Sequence, residues 1–263
     1  DAATTWGVDS LPETPGRDGD AIVAALLAGE LGGLVIGGVD PADTTDPAAT
    51  TAAIAAASFV VALDLRASDV TRAADVVFPV APVTDKAGSF VNWEGRVRSF
   101  DRVLSNPASL PDLRVLAGIA EELGHPLGFR TVEDVWSQME DLGPWDGARA
   151  TLTPVAPGAA VEGKGLVLST WKQLLDNGTM LVGDKHLAAT ARPAVARVSQ
   201  AVHDACGPTV TVTGDRGSVT VPSEVAPDLV DGVVWLPSSS TGRGLLSDLA
   251  SPGTRVTVTG GNP

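Results

Sequence analysis

Residues Phe59–Phe100 read FVVALDLRASDVTRAADVVFPVAPVTDKAGSFVNWEGRVRSF. Phe59–Leu65 is a short, strongly apolar run, which is typical of a buried strand. Ser68–Ala74 has the composition of a short helix, and Val76–Val80 is a second β-branched run. Two apolar strands joined by a helix predict a βαβ unit and a parallel sheet.

The residues before this stretch repeat the same alternation. Asp20–Leu27 is predicted to be a helix, Gly33–Val39 a strand, and an Ala-rich helix runs through Ala57. After it, two amphipathic helices are expected. Leu113, Leu116, Ala120 and Leu123 would form the apolar face of the first, with a capping box at Ser109 and Asp112. Val132, Val135, Trp136 and Met139 would form that of the second, capped by Thr131 and Asp134.

The composition of the sequence changes near residues 143–165, which are rich in Gly, Pro, Ala and Thr. Beyond them, Thr209–Thr213 and Ser218–Val221 alternate Val with Thr or Ser around a Gly-Asp-Arg-Gly turn, which indicates a hairpin. Val233–Leu236 and Arg255–Thr259 are further strand candidates. One helix, with Val195, Val198, Val202 and Ala205 on a face, is expected to end at Gly207–Pro208.

These patterns predict an α/β chain with two domains. Residues 1–145 would form a Rossmann-like domain built on a parallel sheet, and residues 146–263 a small β-barrel with few helices.

Composition excludes several classes of function. The chain carries 32 acidic and 18 basic residues, a formal net charge of −14. Such a field repels nucleic acid and anionic membrane surfaces, so neither is an expected partner. No apolar run approaches the length that spans a bilayer, so no membrane insertion is expected. No export signal is recognisable at the start. The chain begins with Asp, which is consistent with a fragment of a longer protein.

The residues that usually carry chemistry are scarce. Cys206 is the only cysteine, which excludes an internal disulfide and a four-thiolate iron–sulfur or zinc site. The three histidines, at positions 125, 186 and 203, are widely spaced. Gly37–Gly38 follows a strand, but neither the dinucleotide nor the P-loop fingerprint is present, so a tight turn is the favoured interpretation.

The remaining acidic groups are weak candidates. Asp40, Asp43 and Asp46 do not have the spacing of an EF-hand loop and favour a turn. The pairs Glu121–Glu122 and Glu133–Asp134 are expected to be solvated helix faces. There is no nucleophile elbow, and Cys206 has no base beside it in sequence. We therefore predict no catalytic, cofactor-binding or metal-binding residue in this segment.

Residues Phe59–Phe100 resemble the third domain of the molybdopterin oxidoreductase superfamily. In that family a strand ending in Asp leads to a short helix, to A-D-V-V-L-P and then to a loop of the form E-K-x-G-T-x-x-N-x-E-G-R. The matching positions here are Asp64, Ala74, Asp75, Val76, Val77, Pro79, Lys86, Gly88, Asn92, Glu94, Gly95 and Arg96. More weakly, Gly32–Asp43 resembles the preceding strand and turn, and residues 165–260 resemble the family's C-terminal barrel, which implies a dinucleotide-binding-like β-barrel domain over residues 146–263.

Two members of the superfamily compete. The usual T-E-T-A run has Asp69 and Val70 at its second and third positions here, and the first barrel strand lacks the Thr-Gly-Arg of many pterin enzymes. These departures favour the large iron–sulfur subunit of NADH:quinone oxidoreductase (complex I), which keeps the fold but has lost the pterin. The alternatives are a molybdenum or tungsten enzyme, such as a formate dehydrogenase or nitrate reductase, and an unrelated nucleotide-binding module.

The resemblance implies a non-catalytic C-terminal scaffold segment of that subunit, on a peripheral arm at the cytoplasmic side of the membrane. Its expected partners are its own N-terminal iron–sulfur domains and neighbouring subunits. It would hold no cofactor, since the clusters would lie in the missing N-terminal part. The loop Gly88–Arg96, with Phe90 and Trp93, would then be packed between domains.

Overall fold

The computed structural model describes residues 2–144, 147–148, 151, 162–240, 246 and 248–261. The chain divides into two compact units, one of residues 1–41 and 48–152, the other of residues 42–47 and 153–263. Much of the 143–165 window, where the domain boundary is predicted, lies outside the described residues, and the boundary at residues 145 and 146 stays a prediction. None of the described helices is long and apolar enough to cross a membrane.

The first unit contains a three-stranded parallel sheet whose strands lie side by side in chain order. Its helices and strands are α1 (Ala2–Trp6), α2 (Gly19–Leu27), β1 (Gly33–Gly37), α3 (Pro47–Ala56), β2 (Phe59–Asp64), α4 (Asp69–Ala73), β3 (Val76–Pro79), β4 (Gly88–Val91), β5 (Val97–Phe100), α5 (Asp112–Glu122) and α6 (Val132–Leu142). The parallel sheet predicted from the alternation of apolar runs and helices is confirmed.

Both faces of the sheet are packed against helices. On one face Val60 and Ala62 of β2 contact Ile54 of α3 and Val70 of α4. On the other, Leu63 and Val80 pack against Val115 of α5. Central strand β2 is therefore nearly continuous in apolar residues, because a strand of a parallel sheet is buried on both sides.

Helix α5 does not use the apolar face that the sequence predicts. Val115 and Ala117 are its buried residues, whereas Leu116 and Leu123 are 43% and 70% exposed. The predicted capping box at Ser109 and Asp112 is also wrong. Pro111 is the N-cap residue, and it has no side-chain oxygen to accept from the first turn.

Helix α6 begins as predicted. The Thr131 hydroxyl accepts from the Asp134 N–H, and the Asp134 carboxylate accepts from the Thr131 N–H, which completes a capping box. Val132, Val135 and Trp136 are half-buried, and Met139 remains exposed.

The second unit is a closed six-stranded barrel in the order β10–β6–β11–β8–β9–β7. Its elements are β6 (Leu166–Trp171), α7 (Lys185–Ala188), β7 (Ala196–Val198), α8 (Gln200–Cys206), β8 (Thr209–Thr213), β9 (Ser218–Val225), β10 (Val233–Pro237) and β11 (Arg255–Gly260). The predicted small barrel with few helices is confirmed, as is the hairpin of β8 and β9 around the Gly-Asp-Arg-Gly turn.

One predicted helix is partly wrong. Val198 lies on β7, which pairs with both β9 and β10, and α8 begins only at Gln200. The alternation of buried Ala196 and Val198 with exposed Arg197 is the period of a strand. The end of the helix at Gly207, with φ of +85°, is as predicted.

The barrel core is aliphatic. Its fully buried members include Leu168, Val198, Val210, Val212, Val234, Leu236, Leu249 and Val256. The β8–β9 turn lies directly on the segment before β11, where a Cβ on Gly214 would come within 2.3 Å of the Leu249 carbonyl oxygen. Within that turn, the Arg216 guanidinium donates to the Leu246 carbonyl, the Thr45 carbonyl and the Ser251 hydroxyl. Arg216 thereby attaches residues 42–47 to the barrel unit.

Candidate functional site

In parallel α/β sheets, ligands bind most often beyond the carboxyl ends of the strands. At the end of β1, the Gly38 N–H donates to the Leu63 carbonyl at 3.1 Å, and Gly38 has φ of +61°. A Cβ at Gly38 would meet nothing within 4 Å, so no ligand-shaped cradle requires this glycine. Glycine is required at position 38 only by its positive φ, which agrees with the interpretation of Gly37–Gly38 as a tight turn.

At the end of β2, Asp64 has a structural role. One carboxylate oxygen accepts from the Leu65 N–H at 2.7 Å, and the other accepts from the Ser68 hydroxyl at 2.9 Å. Ser68 in turn is the N-cap of α4, where its hydroxyl accepts from the Thr71 N–H. Asp64 therefore fixes the route from strand to helix.

The residues at this edge do not fit the pyrophosphate of a pterin dinucleotide. Such a group needs backbone N–H donors or cations, whereas the loops after β1 and β2 present Asp40, Asp64 and Asp69 beside one cation, Arg66. Arg72 already pairs with Asp69. Over the described ranges of the chain, no three His, Cys, Asp or Glu side chains are grouped so as to hold a metal ion.

His203 and Ser223 form a Ser–His pair in the barrel unit, with Nδ1 2.9 Å from Oγ. The Ser223 hydroxyl donates its proton to the Gly207 carbonyl at 2.7 Å. Since a hydroxyl has one proton, His203 must be the donor to Oγ, and Ser223 has no base to activate it. The pair ties the end of α8 to β9, and Cys206 beside it packs against the barrel core, with its thiol 3.9 Å from the Val258 carbonyl.

The paired acids on the helices are likewise structural or solvated. Glu121 forms an ion pair with Arg130. Hydrogen bonds from the N–H groups of Arg130 and Thr131 hold the pKa of the Asp134 carboxyl below its ordinary value. Glu122 and Glu133 are exposed. None of these acids faces another across a cleft in the manner of a general acid–base pair.

The most distinctive feature of the first unit is the antiparallel hairpin of β4 and β5. Gly88 pairs with Phe100, and Phe90 pairs with Arg98 on the same face. The Phe90 and Phe100 rings stack with centroids 4.9 Å apart. A Cβ at Gly88 would lie 3.0 Å from the Phe100 ring, so glycine leaves the space that this aromatic side chain occupies.

The N-x-E-G-R motif forms the turn of this hairpin. The Asn92 Oδ1 accepts from the N–H groups of Glu94 and Arg96, at 3.0 and 2.9 Å. Gly95 takes φ of +79°, and the Glu94 carboxylate pairs with the Arg96 guanidinium at 3.0 Å. The motif is therefore a side-chain-braced turn that presents Trp93 at its tip.

Two contacts attach the hairpin to the rest of its unit. The Trp136 Nε1–H of α6 donates to the Ser89 hydroxyl at 2.9 Å. At the base, the Lys86 ammonium pairs with the Asp112 carboxylate of α5. The ion pair with Asp112 gives Lys86 a structural role at the base of the hairpin whose turn carries the rest of the motif.

The sequence predicts that this loop packs between domains; within this chain its side chains are exposed, and packing against another domain stays a prediction. Trp93 is 93% exposed, Val91 63% and Phe90 62%. Sequence reasoning also misses the hairpin itself, although Asn92 and Gly95 between two β-branched and aromatic runs are a hairpin signal.

The barrel unit carries a second set of exposed apolar side chains, at the end of β6 and on the loop that follows it. Leu174 is 99% exposed, Met180 89% and Trp171 74%. No stacked ring or close cation accompanies these side chains among the described contacts. Within this loop, the Asp176 carboxylate accepts from the Gly178 N–H at 2.8 Å.

Comparison with known proteins matches residues 2–121 to the molybdopterin oxidoreductase family. The G subunit of the NADH-quinone oxidoreductase of Mycobacterium tuberculosis is 44% identical over 246 residues, covering 90% of this chain and 30% of the relative. The corresponding protein of Streptomyces coelicolor is 40% identical over 273 residues, covering 98% and 32%. The chain thus spans about a third of the length of these curated relatives.

Other proteins match at lower identity. Formate dehydrogenase H of Escherichia coli is 25% identical over 144 residues, covering 54% of this chain and 20% of that protein. Among solved structures, acetylene hydratase from Pelobacter acetylenicus superposes with a TM-score of 0.53 at 12% identity, covering 83% of this chain and 39% of the other. At that identity the likeness shows the fold alone.

Proposed function

We propose that this chain, whose residues 2–121 match the molybdopterin oxidoreductase family, is a non-catalytic C-terminal scaffold segment of the iron–sulfur subunit of a respiratory NADH-quinone oxidoreductase. The observation that carries the proposal is the identity of 40–44% to two NADH-quinone oxidoreductase subunits over 90–98% of this chain. The likeness to formate dehydrogenase H covers only 54%.

The geometry of the sheet edge supports a scaffold in preference to a pterin enzyme. Carboxylates occupy the carboxyl edge of the sheet, and Asp64 is engaged in the strand–helix connection. A dinucleotide pyrophosphate would meet several carboxylates there and one cation, Arg66, so the balance of charge opposes it. The clusters that relay electrons from NADH toward quinone would lie in the parent subunit outside this segment.

Partners and location follow from the same proposal. The segment would pack against the cluster-bearing domains of its own subunit and against neighbouring subunits. It would sit in a peripheral arm on the cytoplasmic side of the membrane, without inserting into the bilayer. Its contribution to electron transfer would be to keep the redox centres of the arm at fixed distances.

The first unit is proposed to be Rossmann-like. Three parallel strands in the order β1–β2–β3 with α3 and α4 in the crossovers support this assignment. Because the glycine fingerprint is missing and the edge of the sheet is acidic, we propose that this Rossmann-like unit does not bind a nucleotide.

Elemental analysis and the absorption spectrum of denatured protein test the scaffold proposal. The purified full chain is expected to contain no molybdenum, tungsten or iron, to release no fluorescent pterin and to show no turnover with NADH or formate. One thiol and three separated imidazoles are a poor supply of metal ligands. Stoichiometric molybdenum or tungsten, or released pterin, would favour the alternative, a fragment of a pterin oxidoreductase such as formate dehydrogenase or nitrate reductase.

A further inference from the structure

The β4–β5 hairpin and the residues after it expose an apolar and basic surface. We define this hairpin surface as Phe90, Trp93, Arg98 and Arg102, all of which are exposed. Exposed aromatic and aliphatic side chains that lie together on a soluble protein mark sites of protein interaction. Trp and Arg are also the residue types that contribute most to the affinity of protein interfaces.

The hairpin surface is held in one conformation. The Asn92 side chain braces the turn, Phe90 stacks on Phe100, and Trp136 anchors Ser89. A two-stranded hairpin without such supports is only marginally stable in water. A surface already fixed in its conformation loses little entropy on binding, which favours affinity.

The charge of the hairpin surface differs from that of the chain. Residues 88–102 contain three arginines and two acidic residues, whereas the whole chain has 18 basic and 32 acidic residues. Within the described part of the chain, neither Arg98 nor Arg102 belongs to an ion pair, and Arg98 donates only to the neighbouring Val97 carbonyl. Both guanidinium groups are therefore available to carboxylates of another molecule.

The same charges decide between possible occupants. A second copy of this chain, also at −14, would be repelled by the first, and nucleic acid would be repelled more strongly. A protein surface with a local acidic rim complements the arginines, and an apolar pocket within that rim complements Trp93 and Phe90.

We infer that the hairpin surface docks into a folded protein partner that presents an apolar pocket bordered by Asp or Glu side chains. Trp93 fills the pocket, and Arg98 and Arg102 pair with its rim. This inference rests on the proposed function, because it places the partner among the other parts of the peripheral arm.

The test uses the full chain and, as the probe, the purified peripheral-arm assembly of the same organism without this segment, with binding measured by biolayer interferometry. Trp93→Ala and the double variant R98E/R102E are each expected to weaken binding by about tenfold or more. The affinity of the unaltered chain should fall as salt rises, and that dependence should be reduced in R98E/R102E.

Two matched variants in the barrel unit serve as controls. Trp171→Ala removes another exposed indole, and Arg192→Glu reverses another exposed cation. Both are expected to bind within about twofold of the unaltered chain, as surface changes outside an interface do. Because Trp93 is 93% exposed, its removal should leave the melting temperature unchanged, so lost binding would not reflect unfolding.

The outcomes separate this inference from the proposed function. If the unaltered chain binds and the hairpin variants bind equally well, the inference is overturned while the scaffold proposal stands. If the unaltered chain does not bind at all, the scaffold proposal fails and the inference fails with it. The inference is also overturned if light scattering shows a dimer, or if the chain binds single-stranded RNA, and the hairpin variants abolish it. The occupant of the hairpin surface would then be a second copy of the chain or RNA.

Discussion

Asn92 illustrates how a single side chain determines the shape of a surface. Its Oδ1 accepts from two backbone N–H groups on the far side of the turn, while its own carbonyl accepts from Gly95 N–H at 2.9 Å. Asx side chains commonly close turns in this way. The side chain of Asn92 therefore serves the geometry of the turn, and the residue beside it, Trp93, is the one presented to solvent.

Gly95 should tolerate no β-branched residue. At φ of +79°, Val would be forced into the left-handed region, at a cost of about 1–2 kcal/mol. A Cβ there meets no neighbour within 4 Å, so the cost would come from the backbone alone. Gly95→Val is expected to accelerate amide hydrogen exchange at Asn92 and Arg96 and to lower the free energy of hairpin opening.

Gly118→Ala is the matched control for that substitution. Gly118 lies in α5, has no positive φ, and a Cβ there meets nothing within 4 Å. Alanine should stabilise the helix by about 0.5–1 kcal/mol. Equal exchange rates in Gly95→Val and the unaltered protein would show that the turn does not depend on the left-handed residue.

At this scale, sequence reasoning recognises the residues of the motif but not their surroundings. Lys86, Gly88, Asn92 and Gly95 stand out by type and spacing. Whether Trp93 is buried depends on what packs against it, which no local pattern encodes. The apolar character of the loop therefore predicts packing between domains, and within this chain the loop is exposed.

Among the elements, α5 and α6 show which helix starts can be predicted. Thr131 and Asp134 cap α6 through contacts between neighbours in sequence, so their spacing is sufficient. Ser109 and Asp112 have the same spacing, but Pro111 lies between them and becomes the N-cap of α5. A proline favours the first turn of a helix, which shifts the start.

The capping box of α6 should make the start of this helix sensitive to acid. Backbone hydrogen bonds from Arg130 and Thr131 hold the pKa of Asp134 below its ordinary value of about 4. A carboxyl whose pKa is lowered on folding stabilises the folded form at pH values above its ordinary pKa. That stabilisation is lost as the pH falls through the lowered pKa. Below about pH 4 we expect the first turn of α6 to fray.

Nuclear magnetic resonance can follow that transition. The Arg130 and Thr131 amide shifts should titrate together with the Asp134 carboxyl, at a midpoint below the ordinary Asp value. Asp134→Asn should abolish the titration at both amides. A midpoint at or above the ordinary value would show that these hydrogen bonds do not favour the carboxylate.

Strands can be predicted well where their partners are local. The β8–β9 hairpin follows from a four-residue turn and strict alternation. Strand β7 is mistaken for part of a helix because its partners, β9 and β10, lie 20 or more residues further along the chain. Three residues are too few for their period to distinguish a strand from a helical turn.

For the whole molecule, charge is the property that sequence determines most directly. With a net charge of −14, the chain is expected to show no saturable binding to duplex DNA or to anionic lipid vesicles at physiological ionic strength. Fluorescence anisotropy and vesicle sedimentation measure this. Saturable binding that weakens with salt would mean that the local arginines of the hairpin outweigh the field of the entire chain.

The order of strands also implies that the two units form their strand pairs at different stages of synthesis. In the sheet unit, β1, β2 and β3 pair in the order in which they leave the ribosome. In the barrel, β6 pairs with β10 and β11, which follow it by more than 60 residues. Pairing across such a separation must overcome loop-closure entropy before any contact offsets it. During synthesis, β6 therefore waits with both edges open until nearly the whole barrel has emerged, and this is the interval in which a chaperone would have most to protect.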